Sequence, residues 1–203
     1  ASKPPRRSTS SAAAPSRRRR KEPAAERVPE PAMQSDAAEQ AAPAPAPRTL
    51  TAMTPSSLPR LHGRDANTAV LADALNRQMR RAPLLVADHG SGRSAVALSV
   101  ARLVDAPVFW LRAPDYDDDQ ALRDDLSAVA RAGGVAIFDD LDRMGTDTPP
   151  PFVSALAQAW ASARPPLLTV VSPETRARLG QWMPGVLETL DVLTLDPLAP
   201  DDA

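Results

Sequence analysis

From about residue 60 onward, apolar residues alternate between two patterns. Short, predominantly apolar runs, Leu84–Val86, Val108–Leu111, Val135–Phe138, Leu167–Val171 and Val192–Leu195, broken only by Thr169 and Thr194, lack polar alternation, as expected of strands covered on both faces. Between them, apolar residues recur mostly three and four apart. The groups are Val70, Leu71, Ala74, Leu75 and Met79; Val96, Leu98, Val100 and Leu103; Leu122, Leu126 and Val129; and Val153, Leu156 and Trp160. That spacing predicts helices with one face to lay on a sheet. Alternating strands and helices imply an α/β domain with a five-stranded, mainly parallel, doubly wound sheet and right-handed crossovers. The body, residues 59–198, has the length of one domain, and no internal repeat interrupts it.

Composition divides the chain at the same place. Residues 1 to about 60 hold eleven of the 23 prolines and none of the seven aromatics, which all lie between Phe109 and Trp182. A stretch with so little apolar area cannot offset its ordering entropy, so residues 1–58 are expected to be a disordered Pro/Ala/Arg-rich tail, with 199–203 a short tail at the other end. The near-neutral net charge of −1 hides a tail at +6 and a body at −7. Arg17, Arg18, Arg19, Arg20 and Lys21, preceded by Arg6 and Arg7, form the densest basic cluster. It suits nucleic acid, an anionic lipid surface or an acidic partner, and equally a solubilising arm with no dedicated ligand, since no aromatic interleaves the arginines.

Several classes drop out. The tail has no apolar core of a secretory signal, and no run of ~18 apolar residues exists for a membrane span, so a soluble, cytoplasmic protein is expected. The absence of cysteine removes disulfides, thiol nucleophiles and Cys-based zinc sites. His62 and His89 are too few for a metal cluster. The chain begins at Ala1, as a processed chain or a fragment would.

Candidate chemistry lies at two strand ends. Val86-Ala87-Asp88-His89-Gly90-Ser91-Gly92-Arg93-Ser94 runs from an apolar strand into a glycine turn. In a P-loop, G-x-x-x-x-G-K-[ST], backbone N–H groups cradle phosphates, a lysine reaches the outer phosphates and a hydroxyl binds Mg²⁺. Here Ala87 stands for the first glycine and Arg93 for the lysine, while Ser94 keeps the hydroxyl. Strand, glycine turn and helix also occur wherever a parallel sheet meets its covering helix. The second strand, Val135–Phe138, ends in Asp139-Asp140, which has the form of a Walker B element. Asp139 would hold Mg²⁺, and Asp140 would orient the attacking water. The plainer alternative makes Asp140, Asp142 and Arg143 a solvated loop, with Arg93 paired to Asp139 or Asp140 in place of Mg·ATP.

The body resembles the large subdomain of an AAA+ ATPase, a P-loop NTPase-like three-layer sandwich. It is most similar to the first ATPase module of the Clp-type unfoldases ClpA, ClpB, ClpC and ClpV. Leu61-His62-Gly63-Arg64-Asp65 resembles the family's V-I-G-R-D element, whose glycine lies against adenine, and Leu84 to Ala95 resembles P-V-L-I-G-E-x-G-V-G-K-T-A. Asp115-Tyr116-Asp117-Asp118 falls at the K-Y-R-G pore loop, whose aromatic grips polypeptide, and Thr169 to Glu174 resembles the sensor strand I-G-A-T-T-x-D-E. The resemblance implies that ATP binds at Gly63, Asp88, His89, Gly90, Ser91, Gly92, Arg93, Ser94, Ala95 and Ser172. It implies Mg²⁺ at Ser94 and Asp139, Asp140 as the catalytic carboxylate, and protein partners such as another AAA+ subunit or a homo-oligomer.

Departures from the family qualify that picture. Leu187-Glu188-Thr189-Leu190-Asp191 replaces L-E-R-R-F, so the arginine offered in trans is missing, a group that contributes ~10³–10⁵ in rate where dissected. Asp115, Asp117 and Asp118 replace basic pore-loop flanks, and the sequence stops near Pro200, before the helical lid. Arg93 is larger than lysine, and Asp140 is one methylene shorter than glutamate. The expectation is a degenerate module that binds ATP weakly or not at all, hydrolyses it slowly if at all, and acts in assembly or interaction. The alternative is an active Clp-like ATPase completed by partner subunits or by residues outside this sequence.

Overall fold

A computed structural model describes residues 49–54, 63–78, 80–145 and 148–196. The expected tail up to residue 48, with its basic cluster, and residues 197–203 lie outside the described residues, as do Leu61, His62 and Met79. The five apolar runs form β1 (Pro83–Val86), β2 (Val108–Arg112), β3 (Val135–Asp139), β4 (Leu167–Val171) and β5 (Asp191–Thr194). All are parallel, in the order β2-β3-β4-β1-β5. The helices are α1 (Asp65–Asn76), α2 (Arg93–Val100), α3 (Asp119–Arg131), α4 (Val153–Ser162) and α5 (Pro173–Trp182).

The two-residue period of each strand sends alternate side chains to opposite faces. On one face Leu84, Val86, Phe109, Leu111, Phe138 and Val171 pack with Leu122, Leu126 and Val129 of α3 and with Leu156 and Trp160 of α4. On the other, Leu85, Val108, Ile137, Leu168 and Val170 pack with Leu71 and Leu75 of α1 and with Val96 and Val100 of α2. This three-layer arrangement explains why β1, β3 and β4 read as predominantly apolar runs: every residue of each is buried. Thr169 of β4 is buried without penalty, because Trp160 Nε1 of α4 donates to its Oγ1 at 2.9 Å.

Three local features depart from the sequence reading. Residues 49–54, assigned to the tail, lie along the outer edge of β2. Ala52 forms an antiparallel bridge with Phe109, the Met53 N–H donates to the Val108 carbonyl at 2.8 Å, and Leu50 and Met53 pack against the two separate cores. The strap covers one end of an edge strand that would otherwise present unpaired backbone groups. Secondly, α5 carries too few apolar residues for periodicity to show it. It begins on a cap instead: Ser172 Oγ accepts from the Thr175 N–H at 3.2 Å, followed by Pro173 at the first helical position. Finally, the apolar spacing places Val70 and Leu103 with the helical faces, yet they are 58% and 50% exposed, because α1 faces the sheet with Leu71 and Leu75 and α2 ends at Val100. No helix among the described residues is long and apolar enough to cross a membrane.

Candidate functional site

The parallel sheet brings the C-terminal ends of β1, β3 and β4 side by side, since β4 lies between the other two. The loop after β1 is shaped by Gly90 and Gly92, at φ +82° and +80°, a left-handed conformation that other residues adopt only at a cost. A Cβ added at either glycine would meet nothing within 4 Å. The glycines are therefore required by backbone conformation, and the ground above the turn is open. Ser91 tightens the loop through its N–H and Oγ, which donate to the Asp88 carbonyl at 3.2 and 2.7 Å. Gly92 then caps α2, so a helix N-terminus with its unpaired N–H groups opens onto the loop.

At the tip of β3 the two carboxylates have separate engagements. Asp139 is 3% exposed; its Oδ1 accepts the Asp140 N–H at 2.7 Å, and its carboxylate also accepts from the Ser94 hydroxyl. Burial pushes its pKa above the usual carboxylate range, against those hydrogen bonds and the nearby Arg93 charge. Asp140 sits at φ +64°. Its Oδ2 takes Arg112 Nε at 2.8 Å and its Oδ1 takes Arg143 Nε at 3.1 Å.

Arg93 pairs with Asp142, where the sequence reading offered Asp139 or Asp140 as its partner. The reason is local geometry. After the left-handed Asp140, residues Leu141–Arg143 make a single 3-10 turn that brings Asp142 to the floor of the site, while Asp139 and Asp140 are already engaged. Arg93 Nη1 also donates to the Ala87 carbonyl at 3.0 Å, and Nη2 lies 3.4 Å from His89 Nδ1. Asp142 Oδ1 accepts the Ser172 N–H at 2.9 Å. Burial alone would raise the Asp142 pKa; hydrogen bonds from Thr175 and Ser172, with the Arg93 charge, outweigh it and leave the carboxyl below its ordinary value.

Together these groups surround a hollow of about 460 Å³. Gly90, Gly92, Arg93 and Ser94 form one wall and Asp140, Asp142 and Arg143 the other, with His89 and Ala95 also lining it. The loop and helix N-terminus suit phosphates, and the hydroxyl of Ser94 beside the carboxylate of Asp139 is a hard-oxygen donor set suited to Mg²⁺. Gly63, Asp88, Ser91 and Asp139 do not line the hollow, although Asp139 reaches it through Ser94. Ser172 is 1% exposed and joins the site through both its backbone N–H and its hydroxyl, which hydrogen-bond Asp142, while the hydroxyl oxygen accepts the Thr175 N–H that caps α5.

No protein-family model and no curated protein matches the sequence. Solved structures do. Hsp104 of S. cerevisiae in complex with casein, in an extended conformation, matches with a TM-score of 0.58 at 15% identity, over 72% of this chain and 29% of that one. A closed state of Hsp104 with ATPγS and FITC-casein matches with a TM-score of 0.59 at 15% identity, over 71% of this chain and 28% of the other. The fold is AAA+.

The chain spans less than a third of the Hsp104 chains it matches. The pore-loop expectation fails for Tyr116, which is 3% exposed in the core below α3. Its ring meets Phe138 and Phe152 at centroid distances of 6.0 and 6.1 Å. Arg64 of the Gly63-Arg64-Asp65 element is 7% exposed, and its Nη2 donates to the Asp196 carbonyl at 2.6 Å, stitching the start of α1 to the end of β5. At the expected finger position Leu190 is 4% exposed and Thr189 Oγ1 donates to the Val186 carbonyl at 2.6 Å. Two charged partners at the site escaped the sequence reading. Asp142 appeared there only as part of a loop, and Arg112, at the end of β2, was not singled out. The register Arg112↔Asp139, which brings it beside the carboxylates, exists only in the assembled sheet.

Proposed function

We propose that this chain is a nucleotide-binding AAA+ module with little or no turnover of its own, acting as an assembly or interaction subunit. In this reading the Gly90–Gly92 turn and the N-terminus of α2 hold the phosphates of ATP, with Ser94 and Asp139 as the ligands of Mg²⁺. The metal would neutralise phosphate charge. The observation that carries the proposal is that the two groups hydrolysis needs free are both paired with other side chains of this chain, Arg93 in an enclosed pair and Asp140 with two exposed arginines. Arg93 is held by Asp142 and the Ala87 carbonyl, and Asp140 is bridged by Arg112 and Arg143. Phosphoryl transfer depends on positioning and charge neutralisation acting together, so loss of both costs far more than either alone. By likeness to Hsp104, candidate partners are another AAA+ subunit or further copies of this chain.

The second reading, an active Clp-like ATPase completed by a partner's arginine, is favoured by one observation: the Ser94–Asp139 pair remains in place. Calorimetric titration of the full chain with Mg·ATP, followed by steady-state hydrolysis with and without a complete AAA+ subunit, separates the two. The proposal expects a Kd weaker than about 1 μM and hydrolysis at background in both mixtures. Hydrolysis that appears only with the partner would establish the second reading. Turnover at ~1–10³ s⁻¹ by this chain alone would overturn the first.

A further inference from the structure

We infer that Asp142 is an internal counter-ion that occupies Arg93 in place of a phosphate, and that it sets how tightly the hollow binds polyphosphate anions. The inference rests on the phosphate-binding reading above and names the residue that controls it.

Arg93 stands one residue after Gly92, at the first position of α2, with a side chain 12% exposed; the Asp142 side chain is 4% exposed. A guanidinium so enclosed needs an anion, and Asp142 supplies one. The planar fork of arginine matches carboxylate and phosphate alike, so a phosphate entering the loop presents Arg93 with the same chemistry it already has. Asp142 also lines the hollow, so its charge lies close to where that phosphate would sit. Displacement and repulsion therefore act in the same direction: binding an anion means separating Arg93 from Asp142 or bringing two negative groups together. Lysine could not be held in this way, because its compact ammonium cannot donate along two directions of a plane as Arg93 does to the Ala87 carbonyl and Asp142.

The other oxygen of Asp142 explains why the pair stays closed. Oδ1 accepts the Ser172 N–H at 2.9 Å, and Thr175 adds its hydroxyl. The carboxylate is thereby fixed at the start of α5, whose cap is formed by the same Ser172. Asparagine at position 142 would retain an acceptor for that N–H and lose the charge, so Asp142→Asn removes the counter-ion while leaving the α5 start in place.

The test is equilibrium binding of Mg·ATP and of inorganic tripolyphosphate to the full chain, to Asp142→Asn, to Arg93→Ala and to the double variant. Freeing Arg93 to pair with the anion, together with removing one negative charge beside the site, is expected to tighten both anions by about tenfold or more, and in the Arg93→Ala background only the smaller part of that gain, the part due to repulsion, is expected to remain. Wild-type binding with no gain in Asp142→Asn would overturn this inference and leave the nucleotide reading intact. A gain of undiminished size in the Arg93→Ala background would also overturn it, since the effect would then be general repulsion alone. Failure of both the wild type and Asp142→Asn to bind would overturn this inference and the nucleotide reading together. Should Asp142→Asn not fold, the Arg93 Nε–H resonance of the wild type provides the measurement: it should move as tripolyphosphate saturates the site, and a resonance that stays at its starting position at saturation refutes displacement.

Discussion

Tyr116 donates its hydroxyl proton to the Asp125 carboxylate at 2.9 Å, a buried bond between the segment leading into α3 and α3 itself. Phe138 and Phe152 complete the packing, meeting edge-on at 5.5 Å. An aromatic held on its ring and at its hydroxyl cannot double as a mobile grip for a passing polypeptide. The acidic residues around it, Asp115, Asp117 and Asp118, remain at the surface.

Tyr116→Phe should lower unfolding free energy by about 1–3 kcal/mol, because Asp125 keeps its buried position and loses its donor. Tyr116→Ala should cost about 3–5 kcal/mol through the cavity left in the aromatic cluster. Nucleotide affinity should change in neither variant. Denaturant unfolding alongside ATP titration checks this, and a drop in affinity at unchanged stability would return Tyr116 to a ligand-facing role.

The strap on β2 predicts where the chain can be shortened. Deleting residues 1–48 should leave thermal and urea midpoints unchanged, since the contacts at Leu50, Ala52 and Met53 persist. Deleting 1–54 should cost about 1–3 kcal/mol, the loss of two partly buried apolar side chains, and should bare the edge of β2. Equal midpoints for the two truncations would show that the strap adds nothing in solution.

Acid sensitivity should concentrate at Asp142. Its carboxyl is lowered in the folded state, so its contribution is present above the ordinary value of 3.8 and is lost as pH falls from there through the lower folded value. Urea titrations at stepped pH should show a steep acid limb in the wild type and a shallower one in Asp142→Asn. Asp139 has the opposite sign. Its raised value means that ionisation costs stability as pH rises through the folded pKa, so Asp139→Asn should stabilise the metal-free protein at neutral pH.

Introducing the lysine and glutamate of the Clp-type pattern with Arg93→Lys and Asp140→Glu should raise ATP hydrolysis only modestly. Asp142 remains to attract the new ammonium, Arg112 and Arg143 remain to hold the new carboxylate, and position 140 keeps its φ of +64°, which aspartate tolerates better than glutamate. Steady-state phosphate release measures the outcome. A gain of several orders of magnitude would show that side-chain identity alone limits hydrolysis at the site.

The order of elements was legible in the sequence because it depends on local chemistry. Runs such as Val135–Phe138 are apolar on both faces, the glycines at 90 and 92 favour a left-handed turn, and together these specify a parallel sheet with a glycine turn at one strand end. Even α5 left a local trace in its Ser-Pro-Glu-Thr start. What each charge does was not legible, since Arg93 has Asp139, Asp140 and Asp142 within a few residues of one another as possible partners, and spacing along the chain does not choose among them. The choice was made by a 3-10 turn after a left-handed Asp140, by the neighbouring Ser172 N–H, and by β2 delivering Arg112 to Asp140 from 28 residues away. Tyr116 makes the same point in apolar terms: its motif position placed it at a surface loop, and only the packing of Phe138 and Phe152 drew it into the core. Backbone conformation and apolar periodicity are properties of neighbours in sequence, whereas ion pairing and burial depend on which distant segments the folded sheet brings within a few ångströms.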